Sequence, residues 1–249
     1  MPFFLLLCEG RIEAGNEPFR VVWPDELGTG AEAMRSRYNE QEYSYALTPL
    51  LMEWVLRQGF DRVLFIKQES MVTGDLTPVA ALLETASVAL TPHLLRPLTA
   101  AAREREILRC GTYNGGLVGC ANTEEGGRFL QWWAARVATH CRYDPAAGMH
   151  FEQRWLDLAA AYVERLAVVR DPGVNVGHWN LPERAVTVEG ERILVDGGPC
   201  RLFRFSGYDA DRPEGATRYF ARLTMENLGA AAVVFARYRE ELLRAGWTA

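Results

Sequence analysis

The sequence predicts one α/β domain over residues 1–249, on three observations. Short apolar runs alternate with longer amphipathic stretches, the habit of strands and helices taken in turn. Neither a linker composition nor an internal repeat interrupts that alternation. Hydrophobic residues make up 49% of the 249 positions and charged residues 24%, an apolar mass sufficient for one large core.

In chain order, the strand candidates are "FFLLLCE" (3–9), "FRVVWP" (19–24), "RVLFIK" (62–67), "SVALTPH" (87–93), "YNGGLVGCA" (113–121) and "RLAVVR" (165–170). The opening "MPFFLLLCEGRIEAG" reads as a strand. Its apolar run is too short to span a bilayer, no basic stretch precedes it, and Glu9 follows at once. Between the strands, "YSYALTPLLMEWVLRQG" puts Leu47, Leu50, Leu51, Trp54 and Val55 on one helical face and stops at Gly59, which tolerates a left-handed cap. "LTPVAALLE" predicts a helix with Thr77 as N-cap and Pro78 at its first position. "TEEGGRFLQWWAARVATHC" opens on acidic residues that suit the positive end of a helix dipole, and continues through Phe129, Trp132, Trp133 and Arg136. "AAAVVFARYREELLRAG" reads as a closing helix.

A net charge of −5 and a pI near 5.5 argue against a general nucleic-acid or anionic-membrane binder, although a local basic patch stays open. Cys8, Cys110, Cys120, Cys141 and Cys200 lie far apart with no C-x-x-C pair, so neither a zinc knuckle nor a disulfide framework is predicted. Reduced thiols in a cytoplasmic protein are expected. No G-x-S-x-G elbow exists and no G-K-[ST] follows "TGDLTP", which excludes an α/β-hydrolase and a P-loop kinase. His93, His140, His150 and His178 show no H-x-x-x-H spacing, so a histidine metal site is not expected; His140 and His150 read as surface.

In open α/β sheets ligands gather at the carboxyl ends of strands, which makes Lys67, Gln68, Glu69 and Ser70, directly after "VLFI", candidate chemistry. An isolated K-x-E would ordinarily be a solvated strand end. More is carried by seven segments in order: "DRVLFIKQESMVTGDLTPV", "VALTPHLLRPL", "ILRCGTYNGGLVGC", "GRFLQWWAARVATHC", "FEQRWLDL", "VVRDPGVNVGHWNLPER" and "RLFRFSGYDADRP". Together they resemble bacterial glycogenin-like, family 8-like glycosyltransferases of the GT-A type, from about the first strand to near the C-terminus. The resemblance implies a Rossmann-like mixed sheet flanked by helices. It also implies a nucleotide-diphosphate sugar donor, a hydroxyl acceptor on a glycan, natural product or protein, and retention of anomeric configuration.

Where the family carries Asp-x-Asp this chain has Lys67-Gln68-Glu69, and where it carries the histidine of an H-F-S-G-like segment this chain has Arg204 in "FRFSG", followed by Ser206 and Gly207. Those are the family's metal-ligand positions. Fixed cations there oppose a divalent ion, so metal binding is expected to be lost and no cofactor is expected. Lys67 and Arg204 are then expected to meet the donor diphosphate themselves, with Arg218 of "GATRYFAR" beside them. Two further departures are that the chain starts in what resembles the relatives' second strand, lacking their first strand-helix unit, and that Thr48 replaces a lysine in an "ALKP"-like segment.

Other matched positions are intact. Asn114, Gly115 and Gly116 follow Y-N-x-G, implying an amide on donor sugar hydroxyls and close approach of the backbone; the competing reading is a glycine bulge in a strand. Glu152 and Gln153 match a D-Q-K-W-like pair implied to face the donor sugar and acceptor, with Glu152 positioned to take or orient the acceptor proton. Without the resemblance this pair reads as helix surface. Asn175, His178, Trp179 and Asn180 match an acceptor-side N-V-x-Y-W-N segment, and His93 matches a pocket position. Trp155 and Trp179 are the expected acceptor-stacking rings, while Trp132 and Trp133 are expected to pack.

The sequence therefore points to a metal-independent glycosyltransferase without a membrane span or nucleic-acid partner, self-association or pairing with another chain being left open. The alternative is a catalytically silent relative that binds a nucleotide sugar or a partner protein.

Overall fold

The computed structural model describes residues 2–10, 15 and 17–247; residues 11–14 of the opening stretch lie outside them. In chain order the strands are β1 (Phe4–Leu6), β2 (Arg20–Val22), β3 (Arg62–Ile66), β4 (Ser70–Val72), β5 (Val88–Pro92), β6 (Tyr113–Ala121), β7 (Tyr143–Asp144), β8 (Met149–His150), β9 (Leu166–Val168), β10 (Val186–Glu189), β11 (Arg192–Val195), β12 (Gly198–Pro199) and β13 (Leu202–Arg204). The helices are α1 (Thr29–Arg35), α2 (Glu40–Ala46), α3 (Thr48–Arg57), α4 (Thr77–Ala81), α5 (Ala101–Cys110), α6 (Glu124–Val137), α7 (Ala159–Tyr162) and α8 (Ala231–Arg244).

The central sheet runs β3-β6-β5-β9. β6 is antiparallel to β3 and β5, whereas β9 is parallel to β5, so the sheet is mixed. Alternation along β6 sends Val118 and Cys120 to one face and Leu117 and Ala121 to the other. The first face packs with Leu51, Met52 and Val55 of α3 and Phe129, Trp133 and Val137 of α6; the second packs with Leu76, Val79 and Leu83. Helical layers on both faces exclude water from β6, every residue of which is buried, and the expected mixed sheet flanked by helices is found. A third core joins Phe203 and Phe205 to Val234 and Phe235 of α8. The predicted strands all form, β6 over its full predicted length and the others in shorter versions, and so does the closing helix.

Some expectations change. The helix drawn from residue 43 onward is two helices, because the backbone turns at Leu47 and Pro49 starts a new helix early in α3. Gly59 takes φ +93° just past α3, as its position predicted. Thr77 is the first residue of α4 and not its cap: Leu76 holds the cap position, and the Asp75 carboxylate instead accepts from Thr77 N at 2.8 Å. β4, β10, β11, β12 and β13 were not foreseen, and the antiparallel β4–β13 pair proves decisive for the site. Among the described residues no helix is long and apolar enough to cross a membrane.

Candidate functional site

β3, β5 and β9 share one direction, and polar residues from β3 and β5 emerge together at their carboxyl ends. Lys67 follows β3 directly, and its N–H donates to the Gly116 carbonyl at 3.1 Å. The β4–β13 register sets Arg204 opposite Ser70. Arg204 Nη1 donates to Ser70 Oγ at 3.1 Å and lies 3.5 Å from the Gly116 carbonyl oxygen. Residues 67 and 204 thus converge on one glycine, Gly116, from two different strands.

Their charges are used differently. Lys67 Nζ lies 2.6 Å from Glu152 Oε1, with the side chains 7% and 0% exposed, and 3.5 Å from the Tyr45 ring centroid. A carboxylate taken wholly out of water requires a partner, and Lys67 supplies it. The Lys67 amine and the Glu152 carboxylate, each expected to face a ligand, face each other in this structure. Arg204 is 3% exposed, yet its nearest carboxylate, Glu69, stands at 3.9 Å. Burial lowers its pKa, offset in part by Glu69, Tyr45 and Glu152. Its Nε has no hydrogen-bond partner among the described residues.

Two readings of the glycines coincide. Between Leu90↔Val118 and Thr91↔Asn114 the β5–β6 register shifts, placing Gly115 and Gly116 in an irregularity of the strand. A Cβ on Gly115 would stand 2.3 Å from Glu152 Oε1; one on Gly116 would stand 2.5 Å from Asn114 Oδ1 and 2.9 Å from Arg204 Cζ. The bulge is thus the place where carboxylate, amide and guanidinium crowd the backbone. Gln153 serves it from below: its Oε1 accepts from Gly115 N at 3.2 Å, and its Nε2 is 3.0 Å from the Cys110 carbonyl oxygen and 3.1 Å from His150 Nδ1. Both ends of that amide are engaged by the protein, so Gln153 is a clamp on the bulge. His150, read as surface, is half-buried for this reason. His140 is exposed.

The far wall is polar and buried. His93 follows β5, and its Nε2 accepts from Asn114 Nδ2 at 2.9 Å. Burial, with His150 adding to it, pushes the His93 pKa down to about 3, so the ring is neutral at pH 7. Asn180 Nδ2 reaches the carbonyl oxygens of His93 at 3.2 Å and Asn175 at 3.1 Å, locking the loop 175–180 to β5. Asn175 is wholly buried, sits at φ +56°, and has no partner for either amide atom among the described residues. Its Oδ1 would be 2.9 Å from a Cβ on Gly116, so this amide is aimed at the glycine bulge.

Trp179 is 6% exposed, edge-on to His93 at 5.8 Å between centroids. Trp155 lies against Trp132 and donates its indole N–H to the His140 carbonyl. Trp179 is thus buried, whereas Trp155 is half-buried. Trp133 is fully buried and Trp132 partly so.

Gln68 is exposed and Ser206 half-buried at the rim. Gly207, at φ +73°, leaves no room for a Cβ beside Tyr219 and Thr217, and its carbonyl accepts from Arg218 N at 2.8 Å. The Arg218 side chain is exposed and donates to Tyr219 Oη at 3.1 Å. Sequence reasoning missed Tyr45, Tyr219 and Tyr238. Tyr238 of α8 stacks face to face on Phe205 at 3.7 Å, with Glu69 and Arg204 close enough to move its pKa. Tyr45 and Tyr238 on predicted helices carry no signal beyond packing, and Tyr219 lies in a turn outside any predicted element, so only the third dimension reveals these.

Of the three positions where a divalent ion's ligands are implied, two hold an amine paired to Glu152 and a guanidinium, neither with a lone pair to give a cation, and only Glu69, 3.9 Å from Arg204, keeps a carboxylate. Among the described residues no group of three or more His, Cys, Asp or Glu side chains is placed to hold a metal. The residues present do not fit one.

No protein-family model matches the chain. It is 26% identical over 180 residues to the uncharacterized protein YfnF of Bacillus subtilis (strain 168), covering 70% of this chain and 59% of that protein. It is 25% identical over 183 residues to the uncharacterized protein YfnD of the same organism, covering 71% and 58%. The chain thus spans less than two thirds of the length of these curated relatives. Among solved structures it is similar to the galactosyltransferase LgtC in complex with donor and acceptor sugar analogs, with a TM-score of 0.49 and 11% identity over 92% of this chain and 77% of that one.

Proposed function

We propose that the protein is a GT-A type glycosyltransferase that moves a sugar from a nucleotide-diphosphate donor to a hydroxyl acceptor without a divalent metal. The observation that carries this reading is Arg204: a buried guanidinium at the strand ends, with its Nε unpartnered among the described residues, beside a glycine bulge and the unpartnered amide of Asn175. A desolvated fork of this kind is suited to a phosphate, and fixed positive charge stabilises a departing diphosphate whatever atom bears it. Arg218 at the rim extends the same charge. Asn175, together with the free Oε2 of Glu152, gives buried donors and acceptors for sugar hydroxyls, which would otherwise remain unsatisfied. Lys67 acts through Glu152, holding that carboxylate in place by the ion pair at 2.6 Å.

The test is binding and transfer with a panel of nucleotide-diphosphate sugars in EDTA, for wild type and Arg204→Gln. Activity that survives chelation and falls at least tenfold in the variant supports the proposal; activity that depends on added manganese rejects it. One observation favours a second reading, a silent relative that binds the donor without turning it over. The Glu152 carboxylate is already neutralised by Lys67 at 2.6 Å, leaving no free base there. Donor binding without transfer to any acceptor or to water would select it.

A further inference from the structure

The mouth of the site carries a cation that this reaction leaves unused. Arg103 lies in the first turn of α5, whose N-cap residue Ala100 makes no side-chain cap. It is half-buried; its Nη2 donates to the His178 carbonyl at 3.2 Å, and its guanidinium lies 4.5 Å from the centroid of the Phe220 ring. Burial lowers its pKa, and among the described residues no carboxylate offsets that shift. A guanidinium that gives up water without a counter-charge costs stability, which an arriving anion would return.

Its surroundings are ordered as a shelf. The His178 ring packs on Tyr219, with centroids 5.9 Å apart and planes at 32°, and Tyr219 Oη accepts from Arg218. Arg103, through the His178 carbonyl, and Arg218, through Tyr219 Oη, therefore both border the His178–Tyr219 pair. Tyr219 is 53% exposed, and burial, then Arg103 and Arg204, push the His178 pKa down to about 4. The His178 ring of this shelf is therefore neutral at pH 7. In a chain of net charge −5, Arg103, Arg204 and Arg218 around one mouth make a local positive field. A diphosphate held by Arg204 and Arg218 leaves Arg103, on the His178 carbonyl and the Phe220 ring, without a use.

We propose that the Arg103 end of this mouth binds an anionic group of the acceptor, a carboxylate or a phosphate monoester, with the acceptor ring lying on Tyr219. The proposal rests on the glycosyl-transfer reading for the word acceptor, but the anion site itself does not. A charge-assisted guanidinium contact in a partly desolvated place supports a preference of about tenfold or more over a neutral analogue.

The experiment is calorimetric titration of the full chain with glucose, glucuronic acid, glucose 6-phosphate and UDP, for wild type, Arg103→Gln, Arg103→Lys and Arg218→Gln, each checked for an intact melting transition. Expected is at least tenfold tighter binding of an anionic sugar than of glucose. That preference should vanish in Arg103→Gln, be partly kept in Arg103→Lys, and survive both Arg218→Gln and saturation with UDP. The proposal is overturned if wild type shows no preference, if the preference persists in Arg103→Gln, or if UDP displaces the anionic sugar, which would place the anion on the diphosphate position. Failure of UDP to bind while the Arg103-dependent preference remains would remove the glycosyl-transfer reading and leave the anion site standing.

Discussion

Lys67 Nζ and Glu152 Oε1 lie 2.6 Å apart with almost no exposure to water. Removing one member of such a pair strands the other as an uncompensated buried charge, at a cost of about 3–5 kcal/mol, whereas replacing both with apolar groups of similar size is far less damaging. Urea unfolding should therefore show Lys67→Met and Glu152→Leu each strongly destabilised, with Lys67→Met/Glu152→Leu well short of their sum. Additive losses would mean that the two groups are not coupled, and the role assigned to Lys67 would fall with them.

Gly115 and Gly116 give a steric prediction. A methyl group on Gly116 meets Asn114 Oδ1, Arg204 Cζ and Asn175 Oδ1 inside 3 Å, all belonging to buried side chains that cannot retreat to solvent. Gly116→Ala should lower stability by about 1–3 kcal/mol and abolish nucleotide-sugar binding by moving Arg204. Gly127, in α6 with nothing within 4 Å of its would-be Cβ, is the control. Gly127→Ala should raise stability by about 0.5–1 kcal/mol through helix propensity and leave binding intact. Equal binding by both variants would show that the bulge is packing alone.

What the sequence made legible follows from local physics. Strands such as "RVLFIK" and "YNGGLVGCA" announce themselves by apolar runs bounded by polar residues, and Gly59 by the φ it must adopt. Lys67, Glu69, Asn114 and Arg204 could be named from motif order, and the fold brings them to one place. Their partners could not be named. The β4–β13 pair closes a loop from Ser70 to Arg204, and both strands are three residues long, too short for any periodicity. The Lys67–Glu152 contact likewise has no local signature, so a motif reading gave both charges to the ligand when the fold had given them to each other. Tyr45 was quoted within a helix and read only as part of its pattern, yet it lies under the Lys67 amine.

Buried neutral histidines set a pH dependence. The pKa values of His93, His150 and His178 are pushed down to about 3, 4 and 4, in each case first by burial. Below the ordinary histidine value of about 6.5 the unfolded chain takes up protons that the folded chain refuses. Stability from these groups is complete above that value. It is lost as pH falls from there toward the folded-state values, by about 1.4 kcal/mol per pH unit for each histidine at the steepest part. Denaturation midpoints measured between pH 7.5 and 4 should fall accordingly, and His93→Asn should flatten the slope by about a third. A flat profile for wild type would mean that the histidines are protonated in the folded protein.

Reversing the two cations tests the proposal that the site works without a metal. In Lys67→Asp/Arg204→His the amine and guanidinium give way to an oxygen and an imidazole ligand, near Glu152 and Glu69, a donor set suited to manganese. Two carboxylates at the place of the present ion pair repel each other in the absence of an ion. The double variant should therefore be less stable than wild type without metal, and its melting temperature should climb with manganese concentration, as expected for a ligand that binds only the folded state. Loss of the free-ion signal in electron paramagnetic resonance should accompany that rise. Wild type should show neither effect, since Lys67 and Arg204 hold positive charge where the ion would sit. Manganese that stabilises wild type as much as the variant would mean that the cations do not guard the site, and the metal-free reading of Arg204 would have to be abandoned.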